Sequence, residues 1–139
     1  MKKVLSLSAI TLLVIFALVS CKKDTHNCTI KWLVTPSNIT GVQTAIEVEA
    51  NSIYRSYDDY LSKANFGTVD KSAHKIEVEE VTNNKIEKIK ADAKKYALKA
   101  NDELANFHPQ WATYTVTVTF EGEDGQEILA TYSYKPEEK

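Results

Sequence analysis

The residues of this chain that could do chemistry are few: three histidines, two cysteines and one adjacent pair of aspartates. His26, His74 and His108 lie far apart, without the short spacing that sets two imidazoles on one metal. Asp58 and Asp59 are neighbours, but adjacent helical residues point about 100° apart and do not share a proton by themselves. A solvated helix face is the reading they favour. Ser52, Ser56 and Ser62 also read as solvated helix positions, and no serine sits in a nucleophile-elbow pattern. Gly41, Gly67, Gly122 and Gly125 each fall at a cap or turn, so none is left for a phosphate-cradling loop. The expectation is no catalytic residue, no metal ligand and no cofactor.

Cys21 is different, because its surroundings specify a reaction. Lys2 and Lys3 open the chain, and Val4 to Val19 form an apolar run broken only by Ser6, Ser8 and Thr11. That run falls short of the roughly 20 residues of a spanning helix and reads as an export signal. Its ending, Leu18-Val19-Ser20-Cys21, resembles the lipobox of bacterial lipoproteins. The resemblance implies that the Cys21 sulfur is alkylated with diacylglycerol and that residues 1–20 are removed. Sulfur is the nucleophile that forms the thioether, and small Ser20 lets a peptidase reach the bond. Two or three acyl chains anchor stably where one would exchange, since each buried methylene contributes about 0.8 kcal/mol. The membrane partner is thus reached through lipid on Cys21. Lys22 follows in place of the aspartate that retains such proteins at the inner membrane, which by resemblance points to the outer membrane.

Without residues 1–20, 119 residues remain, enough for one domain with a core. Losing Lys2 and Lys3 moves the formal charge from −2 to −4. That mild acidity argues against a nucleic-acid partner, whose binders carry a clustered basic footprint. With Cys21 lipidated, Cys28 is a lone thiol; it opens an apolar strand pattern, so burial is expected. Residues 21–27 form a lipidated tether and 28–139 the domain. Six extended residues, 22–27, reach about 20 Å at most.

The elements follow from periodicity. Cys28, Ile30, Trp32 and Val34 alternate with Thr29 and Lys31, predicting a half-buried strand that Pro36-Ser37-Asn38 ends. Thr40 to Gln43 matches a capping box. Val42, Ile46, Ile53, Tyr57, Tyr60, Leu61 and Ala64 then share one helical stripe, with a stop at Asn65-Phe66-Gly67. Residues 67–82 read as an edge strand or as the first turn of the next helix. Ile86, Ile89, Ala93, Tyr96, Ala97, Ala100, Leu104 and Phe107 span about 100° of a wheel, with Lys88, Lys95, Lys99 and Asp102 opposite. His108-Pro109 ends that helix. Tyr114 to Phe120 and Ile128 to Tyr134 form a hairpin, in which a three-residue loop pairs Phe120 with Ile128 and Val118 with Ala130. The fold class is α+β: a two-layer domain with a three-stranded antiparallel sheet, four if residues 67–82 join it. Two helices cover one face, in the order β-α-α-β-β.

Two surfaces are candidates for binding: the threonine array Thr113, Thr115, Thr117, Thr119 and Thr131, and the tyrosines Tyr54, Tyr57 and Tyr60. The functional expectation is a non-catalytic envelope lipoprotein binding an envelope protein or glycan. The alternatives are an anchored hydrolase with a site assembled from distant residues such as His74, His108 and the acids, or a small inhibitor presenting residues 67–75.

Overall fold

A computed structural model describes residues 24–138. The signal segment 1–20 and Cys21 lie outside the described residues. The elements in order are β1 (Thr25–Ser37), α1 (Gln43–Ser62), β2 (Thr68–Asp70), β3 (Lys75–Thr82), α2 (Asn83–Glu103), β4 (Thr113–Gly122) and β5 (Gly125–Tyr134). One five-stranded sheet runs β2-β3-β1-β4-β5, with every neighbouring pair antiparallel. The α+β class holds, but the order is β-α-β-β-α-β-β.

The difference lies in residues 67–82, which form a hairpin. Ile76, Val78 and Val81 bury their side chains in the core, so this segment has an apolar face to pair inward. The turn is fixed locally. The Asp70 carboxylate accepts hydrogen bonds from the Ser72 and Ala73 N–H groups and from the Ser72 hydroxyl. The Ser72 hydroxyl bond, followed by the Ala73 N–H, holds the Asp70 carboxyl below the usual carboxylate range. Entry to β2 depends on Gly67, where a Cβ would meet the Glu77 carbonyl oxygen of β3. Because that atom is backbone, Gly67→Ala is expected to destabilise the domain by about 1–3 kcal/mol in a denaturant titration. A loss within the error of the wild-type titration would contradict this close approach.

β1 begins at Thr25, three residues before the alternation starting at Cys28, so residues 25–27 belong to the sheet. Its inner face, Cys28, Ile30, Trp32 and Val34, is buried against the helices, whereas Leu33 is 59 % exposed on the outer face. α1 begins at Gln43, and Val42, at its N-cap, is 70 % exposed and off the core stripe. The expected capping box does not form: the Thr40 hydroxyl donates to the Trp111 carbonyl across to the α2–β4 loop. On α2, Ala93, Ala97 and Ala100 are fully buried, and these small residues let α1 come close. Ser56 Oγ of α1 accordingly donates to the Ala100 carbonyl at 3.3 Å and to Glu103 Oε2 at 2.6 Å.

The hairpin register is half as expected. Val118 pairs with Ala130, but a bulge follows, and Phe120 pairs with Glu127 and not with Ile128. The loop is the two residues Glu123-Asp124, since Gly122 pairs with Gly125. The extra residue, Leu129, is buried, and Ile128 faces outward opposite Thr119, 65 % exposed. A single inserted residue thus reverses the side on which Ile128 lies.

Candidate functional site

Each histidine meets an acid. His26 Nδ1 lies 2.8 Å from Glu123, His74 Nδ1 lies 2.8 Å from Asp58, and His108 Nε2 lies 3.5 Å from Glu137. The His74 pair is the one drawn into the fold. Asp58 is on α1, and its Oδ1 accepts from both His74 Nδ1 and, at 2.7 Å, Trp32 Nε1. The His74 ring stacks on Tyr54 with centroids 3.7 Å apart. The solvated reading of Asp58-Asp59 is therefore right for Asp59, which reaches Lys71 from the surface, and wrong for Asp58, whose side chain is 14 % exposed.

The backbone explains why these residues meet. β3 pairs with β1 only as far as Lys75 with Lys31, so the second half of β1 lacks a strand on that side. Its free N–H groups are met otherwise: Trp32 N–H donates to the His74 carbonyl at 3.1 Å, and Val34 N–H to the Tyr54 hydroxyl at 3.0 Å. His74 takes a left-handed φ of 54° to present that carbonyl. The His74 carbonyl and the Tyr54 hydroxyl thus stand in for a missing strand, satisfying β1 donors that would otherwise be left unpaired, while Asp58 holds the His74 ring and the Trp32 indole in place. Sequence reading placed none of these partnerships: it put Trp32 on the apolar side of the strand and left Tyr54 outside the core stripe of the helix.

The tyrosines do not form a surface. Tyr54 closes β1; Tyr57 is buried, its hydroxyl 2.7 Å from that of Tyr134, which donates to Asn101. Burial, and then the hydrogen bond to Tyr134, push the Tyr57 phenol pKa far up. Tyr60 is half-buried, with the Lys63 ammonium 4.6 Å from its ring centre.

A cleft of about 400 Å³ opens beside the start of β1, lined by His26, Cys28, Ile86, Lys90, Phe120 and Glu123 among others. A thiol and an imidazole, the residue types of a nucleophilic cysteine pair, both line it. The electrostatics run the other way. Burial raises the Cys28 thiol, with Lys90 offsetting part of it, so the neutral form is favoured. His26 is turned to Glu123. Lys90 lies over the Phe120 ring at 4.7 Å and pairs with Glu127 at 2.8 Å. The hydrogen bond to Glu127 raises the Lys90 pKa and lowers that of Glu127. A second, open groove of about 670 Å³ lies between Asn101–His108 and Ser133–Glu138. Among the described residues no group of three or more His, Cys, Asp or Glu side chains is placed to hold a metal ion.

The threonine array does assemble. Thr35, Thr115 and Ser133 form one row across β1, β4 and β5; Leu33, Thr117 and Thr131 form the next; Lys31, Thr119 and Ile128 the third. The buried residues of β1 and β4 are all on the opposite face, where both helices pack. This outer face is a ladder of hydroxyls and methyls bracketed by two exposed aliphatic side chains. Its neighbouring charges cancel in pairs, Lys31 with Glu121 at 3.0 Å and Lys75 with Glu77 at 2.8 Å. No family matches the chain, and neither the curated proteins nor the solved structures contain a match. The functional reading therefore rests on geometry.

Proposed function

We propose that the chain is a membrane-anchored envelope lipoprotein whose domain is a non-catalytic module binding an envelope protein or glycan through the outer face of the sheet. The observation carrying this reading is the uncovered three-strand ladder of Thr115, Thr117, Thr119 and Thr131 with Leu33 and Ile128 standing out of it. A surface of hydroxyls with paired charges and two exposed aliphatics suits contact with another surface more than solvation alone. The anchor supports the same reading, since a fixed domain samples partners at high local concentration.

A photo-crosslinking residue at Thr117 in the tethered protein in intact cells is expected to capture a discrete partner. The same residue at Asn51, exposed on α1, is expected to capture none. Equal capture at both positions, or none at Thr117, would overturn the assignment of this face.

An anchored hydrolase is the second reading, favoured by the 2.8 Å contact of His74 with Asp58, the arrangement that orients a general base. The competing duty of that pair in closing β1 weighs against it. Residues 67–75, the segment an inhibitor would present, form the β2–β3 hairpin, with Thr68–Asp70 paired to Lys75–Glu77 and a turn at 71–74.

A further inference from the structure

The solvent face of α2 carries the exposed lysines Lys85, Lys88, Lys94, Lys95 and Lys99. Glu87, Asp92, Asp102 and Glu103 share the helix, but with Lys90 its six lysines outnumber these four acids, on a mature chain of formal charge −4. α1 is the reverse, with Glu47 and Asp59 exposed against Arg55. Leu98, 48 % exposed, lies among the lysines of α2. One helix of the two-layer domain thus presents a basic face with an aliphatic side chain in it, the pattern of a helix that lies on an anionic surface.

The chain entry selects what that surface is. Thr25, the first residue of β1, pairs with Thr82, which immediately precedes α2. Only residues 22–24 separate Thr25 from Cys21, four Cα steps that reach about 14 Å at full extension. The headgroup region of one leaflet is itself about 5–8 Å deep. A domain anchored through Cys21 therefore holds Thr25, and the start of α2 beside it, close to the headgroups.

We propose, resting on the anchored reading above, that α2 docks on the anionic headgroups of the membrane that carries the anchor, through Lys88, Lys95 and Lys99. The short tether turns a weak attraction into an intramolecular one. In this posture the helices face lipid, and the threonine face, on the other side of the domain, faces away from it toward its partner.

The test uses the full lipidated protein on vesicles containing phosphatidylglycerol, with a fluorophore on Ala91→Cys or Thr131→Cys and a quencher on the lipid. Cys28 is buried and does not compete for the label. Quenching at residue 91 is expected to exceed that at 131 by about twofold or more, and to equalise in 1 M salt, where charges are screened beyond about 3 Å. The triple variant Lys88→Gln, Lys95→Gln, Lys99→Gln is expected to equalise it as well. Co-flotation with vesicles but equal quenching at both sites would overturn the docking and leave the anchor intact. Failure to co-float would sink both.

Discussion

Asp58→Ala is expected to lower stability by about 3 kcal/mol, a drop of roughly 10–15 °C in Tm for a domain of this size. The change leaves Trp32 Nε1, at the edge of the core, and His74 Nδ1 without their shared acceptor. It also frees the His74 turn, whose carbonyl takes the Trp32 N–H. Asp59→Ala, one residue on, removes only an exposed contact with Lys71 at 3.6 Å. Its cost is expected to stay within about 0.5 kcal/mol. Asp58→Asn keeps an oxygen acceptor and is expected to fall between the two. Thermal unfolding of the three variants checks this, and equal losses for Asp58→Ala and Asp59→Ala would contradict the account of how β1 is closed.

Cys21→Ser is expected to release the protein from membranes almost completely and to leave the signal segment uncut. The hydroxyl does not form the thioether, and without the acyl chains the attraction of lysines alone is weak and salt-sensitive. Cys28 does not take over: its thiol is buried and its pKa is raised. Membrane fractionation with a size comparison of precursor and mature forms reads both effects. A variant that still partitions into membranes and is still cut normally would contradict the anchor.

The pattern of legibility follows from where information sits. Alternation from Cys28 to Val34 and the face from Ile89 to Ala100 were readable because burial imposes a period on a long segment. Short segments carry no such period. Ile46-Glu47-Val48-Glu49 is helix and Ile76-Glu77-Val78-Glu79 is strand, the same four residues in two states. What separates them is outside the tetrapeptide: the Tyr57 and Leu61 stripe continues the first, and the Asp70 turn folds the second back onto β2. The bulge at Leu129 was invisible for a related reason, since either neighbour could fill the inward position.

The site was legible in part. The threonines alternate with buried Tyr114, Val116 and Val118, so their common face could be read directly. Their juxtaposition with Leu33 and Ile128 could not, because it needs the β1–β4 register and the bulge. The Asp58, His74, Trp32 and Tyr54 cluster joins β1, α1 and the β2–β3 turn, and only the shortness of β3 beside β1 creates the need for it.

The central claim, a domain fixed to lipid through one sulfur, is tested most directly by the mass of the amino-terminal peptide of protein purified from its native membrane. A peptide beginning at Cys21 and carrying a diacylglyceryl group is the predicted result. A peptide beginning elsewhere, or beginning at Cys21 with an unmodified thiol, would contradict it.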